Sequence, residues 1–508
     1  MTDSNDLSRR LLSATSPQAT FAQTLDGSVL TYGEFLAGAD RIAAALVAAG
    51  VAPGDRVAAQ VEKSLSALML YLGAVRAGAV FLPLNTAYTA AEIEYFVTDA
   101  EPAVLVCDPA RRAALAPIAE AAGARAVLDL DADGRGSLMD AAAATGPAQF
   151  APVPRGPQDL AAILYTSGTT GRSKGAMLTH ENLASNAEAL VDSWRFTAED
   201  RLIHALPIFH THGLFVATNV ALMAGASLIF MPKFDADAVV AAMPRATAMM
   251  GVPTFYVRLL GHPDLPAAAK GMRLFVSGSA PLLEETHVRF REETGHAILE
   301  RYGMTETNMI TSNPYDGERR AGTVGFPLPG VSIRIADEAG AVVPDGDVGV
   351  IEVKGPNVFK GYWRMPEKTA EEFREDGWFI TGDLGRIDDD GYLAIVGRAK
   401  DLIISGGYNV YPKEVEAEID ALPGVVESAV VGLPHPDFGE GVAAVVVREA
   451  GATIDEAAIL SAVAPRLARY KQPKRIFFTA ELPRNTMGKV QKAALRKEHA
   501  DAFTHAKV

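Results

Sequence analysis

The sequence predicts an α/β fold, with a large N-terminal domain of βαβ-type sheets carrying a β-rich subdomain and a small α+β C-terminal domain. Three observations lead to this reading. Apolar runs of strand length alternate with amphipathic, helix-length stretches up to about residue 335. Short β segments rich in Gly and Asp then dominate as far as Gly397. From Asp401 the pattern becomes strand, glycine turn, helix, two strands and helix, a unit of about a hundred residues that suits a separate domain. The change falls at Arg398-Ala-Lys-Asp401, which divides the chain into 1–398 and 399–508.

Tyr32 to Ala49 carries apolar residues at helical spacing and stops at Gly50, a residue suited to a helix C-terminus. Asp55 to Val61 then reads as a strand, Leu65 to Ala77 as a helix and Ala79 to Leu84 as a strand, the rhythm of a mostly parallel sheet. The alanines at 141–144 read as a surface segment. Leu160 to Tyr165 is a short apolar run, expected to be a buried strand. Thr179 caps a helix whose Leu183, Ala187, Leu190, Val191 and Trp194 share one face. Leu214 to Met231 is uncharged, yet Thr218, Asn219, Gly225 and Ser227 interrupt it, so it reads as helix, turn and strand rather than a membrane span. Beyond the boundary, a helix is expected at Pro412 to Asp420, strands at Val425 to Val431 and Val442 to Val447, and a helix from Ile454 to Ala468 bent at Pro465.

Composition narrows the function. A net charge of −15 argues against a nucleic-acid partner. From Lys471 onward, however, nine Lys/Arg stand against three Asp/Glu, a local basic balance suited to phosphates or to a solvated helix face. The single cysteine, Cys107, rules out an intrachain disulfide framework and a cysteine-built metal site. Met1 to Arg10 is polar and lacks the apolar core of a signal peptide, so a soluble, cytoplasmic protein without a membrane partner is expected.

Four motifs carry the chemistry. Thr166-Ser-Gly-Thr-Thr-Gly-Arg-Ser-Lys174-Gly175 follows the strand with five hydroxyls, three glycines and a lysine. Glycines let backbone N–H groups turn inward and hydroxyls add donors, a set that polyphosphate needs. The G-K-[ST] ending of a Walker loop is absent, and composition alone fits a turn between two strands equally well. The second motif is Glu300-Arg-Tyr-Gly-Met-Thr-Glu306, the third spans Gly361 to Asp383 as Gly361-Tyr-Trp and then Asp376-Gly-Trp-Phe-Ile-Thr-Gly-Asp383, with Arg398 following, and the fourth is Pro483-Arg-Asn-Thr-Met-Gly-Lys489. Taken singly, they fit a capped loop, a turn aspartate, a linker arginine and a solvated lysine.

Their residues and order resemble the adenylate-forming superfamily, which comprises the acyl-CoA synthetases, the luciferases and the adenylation domains of peptide synthetases. The resemblance spans nearly the full length. It implies that Thr166, Ser167, Gly168, Thr169, Thr170, Gly171 and Lys174 hold the phosphates of ATP. Glu300, Tyr302, Gly303 and Met304 line the adenine, Thr305 contacts the α-phosphate, and Glu306 holds Mg²⁺, which keeps few protein ligands. Asp383 accepts both ribose hydroxyls, and Arg398 contacts ribose and phosphate. Lys489 stabilises charge during adenylation. A mobile C-terminal domain then swings about Lys400 and presents Ser405, Gly406 and Gly407 as a pantetheine tunnel, through which the thiol of coenzyme A attacks the acyl-adenylate. Lys489 is also a candidate for a lysine acetyltransferase, because neutralising its charge would mimic its removal.

Other members of the superfamily load a carrier-protein thiol or oxidise their substrate. The roughly twenty residues after Lys489 are too few for a folded carrier domain, which favours a free-standing CoA ligase. For the acid, Arg301 stands where relatives that take aromatic or fatty acids have a small residue. Arg258 faces the same region by analogy, and Ser277 and Ser279 lie in Val276-Ser-Gly-Ser-Ala-Pro281. Two arginines and extra hydroxyls suit a second carboxylate, and the pattern is similar to that of malonate-activating members, with methylmalonate or a short monocarboxylate as the alternative. His210 and His212 lack the third nearby ligand of a zinc site, and the resemblance puts His210 at the acyl pocket as a catalytic or gating residue.

Overall fold

The computed structural model describes residues 4–146, 150–166, 173–405, 408–436, 438–485 and 488–503. Ser167, Gly168, Thr169, Thr170, Gly171, Gly406 and Gly407 lie outside the described residues. The chain forms two compact units. The first holds Met1–Ala321, Gly325–Ser332 and Lys354–Gly377, and the second holds Gly322–Val324, Ile333–Val353 and Trp378–Val508. The β-rich stretches 333–353 and 378–398, read from sequence as part of the N-terminal domain, therefore fall in the second unit.

The first unit has two sheets. A six-stranded sheet runs in the order Ala126–Asp129, Val104–Cys107, Arg56–Gln60, Val80–Pro83, Leu160–Thr166 and Lys174–Thr179. Its strands are parallel except for the last pair, which forms an antiparallel hairpin around the phosphate-loop motif. Strands such as Val104–Cys107 are buried along their whole length, as parallel strands covered by helices must be. Nine strands make the other sheet, and its central members, Ser227–Phe230, Arg201–His204, Ala248–Gly251, Leu274–Ser277 and Leu299–Met304, are all parallel.

Local chemistry sets the helix ends. Thr31 and Glu34 form a reciprocal capping box at the start of Tyr32–Ala48, and Thr179 with Asn182 does the same for His180–Ser193. Gly50 follows the first of these helices at φ +93°, a conformation that suits glycine. Two expectations change. The helix expected from Ile454 to Ala468 runs only over Glu456–Val463, because the Asp455 side chain caps its start and Pro465 cannot continue it. The alanines at 141–144 belong to the helix Ser137–Ala144, whose Leu138 and Ala142 are buried. Leu214 to Met231 resolves into the end of a π-helix at His212–Thr218, an α-helix at Asn219–Ala224, Gly225 in the left-handed region and the strand Ser227–Phe230.

The second unit contains a four-stranded sheet in the order Ser332–Ala336, Gly349–Lys354, Phe379–Ile387 and Leu393–Arg398, the last three strands antiparallel. Its other sheet is built on the long pair Val425–His435 and Gly439–Arg448, with Ile403–Ser405, Tyr408–Val410 and Arg475–Thr479 added. The helices Pro412–Asp420 and Glu456–Val463 cover it through Val415, Ile419, Ile459 and Val463. Among the described residues no helix is long and apolar enough to cross a membrane.

Candidate functional site

In the first unit, candidate residues gather where the parallel strands of the larger sheet end. Ligand sites of open α/β sheets form at such carboxyl ends. Leu299–Met304 and Asn308–Ser312 form a hairpin whose turn is Thr305, Glu306 and Thr307. Gly303 is required there, since a Cβ would collide with the carbonyl of Asn308. Glu306 is buried, and its Oε1 accepts a hydrogen bond of 3.0 Å from the Tyr362 hydroxyl. The ammonium of Lys174 lies 4.0 Å over the Tyr362 ring and pairs with Glu372 at 3.0 Å. Lys174 and Glu306, which are 132 positions apart, are thus linked through one tyrosine.

Tyr362 and Glu372 were not singled out from sequence. The signal for Tyr362 was its place in the Gly361-Tyr-Trp that opens the third motif. Thr166 pairs with Lys174 across the hairpin, so it stands where the phosphate-loop motif leaves its strand. Tyr302 is buried. Glu300 accepts the Leu282 amide at 3.2 Å, and its backbone carbonyl accepts from the amide and side chain of Asn313, so it ties the 278–282 segment to the hairpin. No group of three or more His, Cys, Asp or Glu able to hold a metal occurs among the described residues. Glu306 offers a single buried carboxylate, a hard oxygen donor.

A second group of candidate residues centres on Arg301. It is 3% exposed, forms no ion pair among the described residues, and leaves Nε and Nη2 without hydrogen-bond partners. Burial pushes its guanidinium down to about 9. The guanidinium packs against Gly278, where any Cβ would clash with it. Ser277 is fully buried with its hydroxyl unpartnered, while the Ser279 hydroxyl lies 3.1 Å from Nδ1 of His212. His212 is buried, and its imidazole is held neutral by that burial and by the nearby Arg301 cation. His210 is half-buried and its Nδ1 accepts the backbone N–H of His212 at 3.3 Å. Arg258, expected to face the pocket with Arg301, is exposed in the last turn of Pro253–Leu260, a helix whose buried residues are Tyr256 and Leu259.

In the second unit, Asp383 and Arg398 are cross-strand partners, and Arg398 Nε meets Asp383 Oδ1 at 2.6 Å. The pairing leaves a carboxylate held in a fixed orientation. Lys400 is exposed in the short turn Ala399–Asp401, and Asp401 pairs with Arg496 of the last helix at 2.6 Å. Ser405 is buried, opposite Tyr408 and Gly439. Lys489 is exposed in a tight loop where its backbone N–H donates to Asn485 Oδ1 at 3.0 Å and its carbonyl accepts from the Asn485 amide at 2.9 Å. Arg484 fastens this loop, donating to the Gly488 carbonyl at 2.6 Å and pairing with Glu427, and Lys492 pairs with Glu416 at 2.6 Å.

Two family models match the chain, "AMP-binding enzyme" over residues 13–363 and "AMP-binding enzyme C-terminal domain" over residues 414–489. The crystal structure of ATP-bound MatB from Rhodopseudomonas palustris is 62% identical, covers 98% of this chain and 100% of that one, and superposes with a TM-score of 0.96. A feruloyl-CoA synthase of Amycolatopsis sp is 39% identical over 487 residues, spanning 95% of this chain and 96% of the relative. A malonate–CoA ligase of Arabidopsis thaliana is 36% identical over 482 residues, spanning 88% and 78%. The chain belongs to the AMP-binding enzyme family.

Proposed function

We propose that the protein is a cytoplasmic, ATP-dependent acid–thiol ligase that converts malonate, ATP and coenzyme A into malonyl-CoA, AMP and pyrophosphate. One observation carries the choice of acid. Arg301 is a buried cation with no carboxylate partner among the described residues, and its two unpartnered N–H groups, Nε and Nη2, form the side of the guanidinium that grips a carboxylate in two-pronged fashion. A monocarboxylic acid with an apolar tail would leave that charge buried and unpaired, at a cost of several kcal/mol. The relative named as a malonate–CoA ligase points the same way. Exposed Arg258 is assigned an outer role, attracting the dianion toward the site.

A carboxylate oxygen attacks the α-phosphorus, the bond to the β-phosphate oxygen breaks, and pyrophosphate leaves. The coenzyme A thiolate then attacks the acyl carbonyl, and AMP leaves with the bonding pair of the ester oxygen. Thr166, Ser167, Gly168, Thr169, Thr170, Gly171 and Lys174 are assigned to the phosphates. Tyr302, Gly303, Met304 and Glu300 are assigned to the adenine side, and Asp383 and Arg398 to the ribose. Thr305 faces the α-phosphate, and His210 the acyl group as it enters. Mg²⁺, held by Glu306, supplies charge neutralisation at the phosphates when bound with ATP. Lys489 stabilises the adenylation transition state and is replaced at the second step by Ser405, Gly406 and Gly407, with Lys400 as the pivot. Acetylation of Lys489 by a lysine acetyltransferase would switch off the first step alone. Pyrophosphate release measured against a panel of short mono- and dicarboxylates tests the assignment. Malonate should lead the panel, and a leading monocarboxylate would overturn it.

A further inference from the structure

Besides Arg301, the acyl side holds an unusual concentration of unsatisfied polar atoms. Thr211 Oγ1, His212 Nε2 and Ser277 Oγ are buried without a hydrogen-bond partner among the described residues, as are Nε and Nη2 of Arg301. They come from three segments, the start of the π-helix, the end of Leu274–Ser277 and the strand Leu299–Met304. Each such atom costs about 1–3 kcal/mol when left unpaired, so five together mark a place where a polar ligand completes the network. A π-helix in this position is itself unusual, since such turns concentrate at functional sites.

Ser279 explains how one of these atoms is oriented. It sits at φ +73°, a left-handed conformation that costs a serine on the order of 1 kcal/mol and persists where the surroundings require it. In that conformation its hydroxyl meets His212 Nδ1 at 3.1 Å. With the hydroxyl donating to Nδ1, the imidazole proton resides on Nε2, which then points a donor at an unfilled partner position. The sequence suggested Ser279 as a direct ligand of the substrate; its hydroxyl also contacts this histidine.

We infer that His212 is a specificity-determining residue, whose Nε2–H, oriented by Ser279, donates to the same distal anion that Arg301 grips. This inference rests on the dicarboxylate reading above. The charged or titratable groups acting on the His212 imidazole are Arg301, His210 and His204, none of them acidic, which suits an anionic partner. His210 already spends its Nδ1 on the His212 amide, which leaves no zinc-like pair of ring nitrogens. The imidazole stays neutral beside Arg301, so it adds direction to the clamp rather than a second charge. On this reading a carboxylate takes Nε–H and Nη2–H of Arg301 and Nε2–H of His212. An alkyl end satisfies none of them.

The test is the ratio of kcat/KM for malonate over butyrate in wild type, His212→Phe, His212→Gln and Ser279→Ala. Phenylalanine keeps the ring volume without the donor, and glutamine restores an N–H near the Nε2 position. The ratio should fall about tenfold in His212→Phe, mainly through KM for malonate, recover in part in His212→Gln, and fall a few-fold in Ser279→Ala, as expected where a site built to hydrogen-bond its substrate loses a donor. An unchanged ratio in His212→Phe, or an equal loss of both substrates with no recovery in His212→Gln, overturns the inference. If His212→Phe does not fold, as read by circular dichroism, an unchanged ratio in Ser279→Ala overturns it. A wild type that favours butyrate over malonate instead overturns the dicarboxylate reading, whatever the variants do.

Discussion

Replacing Arg301 by methionine should lower activity and raise stability at once. Methionine keeps most of the buried volume, so the change removes charge rather than opening a cavity. In the folded protein the guanidinium is buried, forms no ion pair among the described residues, and has its ionisation pushed down to about 9 by loss of water. At pH 7.5 it remains a cation, and relieving that burial should stabilise the fold by about 1–3 kcal/mol. The catalytic effect has the opposite sign. Removing one partner of a buried charge pair costs on the order of 2–5 kcal/mol, so kcat/KM for malonate should drop by roughly thirty-fold or more. Entry of butyrate should become easier, because the new side chain is apolar. Two measurements suffice, pyrophosphate release with each acid and thermal melts with and without malonate. Wild type should melt higher in malonate, and the variant should melt higher than wild type without it and ignore it when added. A variant that melts lower and keeps the preference for malonate would show that Arg301 is a structural residue.

Glu306→Gln keeps an acceptor for the Tyr362 hydroxyl but loses the charge, so folding should survive while adenylation falls about a hundredfold and needs more Mg²⁺. An unchanged Mg²⁺ titration would remove the metal role. Lys489→Ala should abolish pyrophosphate release yet spare thioester formation from supplied malonyl-adenylate, and equal loss in both half-reactions would make the residue structural. A stoichiometrically acetylated Lys489 should behave as the alanine variant does. Asp420 gives a pH prediction, because burial and the neighbouring Glu416 and Glu427 push its carboxyl up to about 7. The folded chain then holds a proton that the unfolded chain releases near 3.8, so this residue's contribution to stability falls as pH rises from about 4 to about 7 and is flat above. Asp420→Asn should equal wild type near pH 4 and exceed it by about 2 kcal/mol at pH 8 in urea unfolding, and a parallel pH dependence of the two proteins would refute this.

Much of this molecule was legible because its elements follow simple periodicities. Tyr32–Ala48, Leu65–Arg76 and Pro412–Asp420 begin and end within a residue or so of where apolar spacing, caps and glycines put them. The helix after Asp455 was overextended because apolar spacing continues through Ala468, whereas Pro465 ends backbone hydrogen bonding sooner. In the site, the linear motifs were legible and their couplings were not. Tyr362 bridges Lys174 and Glu306 from a segment that sequence ties to neither, and Glu372 lies 198 positions from the lysine it pairs with. Arg301 stood out as a departure from the family pattern, and its burial fits a substrate role. Arg258 lies exposed in the last turn of Pro253–Leu260, and no sequence pattern fixes the direction of a single arginine on a helix of eight residues. The Ser279–His212 contact joins residues 67 positions apart and depends on a left-handed serine, which no sequence pattern announced.

The central claim is tested most directly by one competition reaction. The protein is mixed with ATP, Mg²⁺, coenzyme A and equal concentrations of malonate, methylmalonate, butyrate and ferulate, and the acyl-CoA products and nucleotides are resolved by mass spectrometry. The account predicts malonyl-CoA as the dominant thioester, formed one for one with AMP. Dominant butyryl-CoA or feruloyl-CoA, or release of ADP in place of AMP, would contradict it.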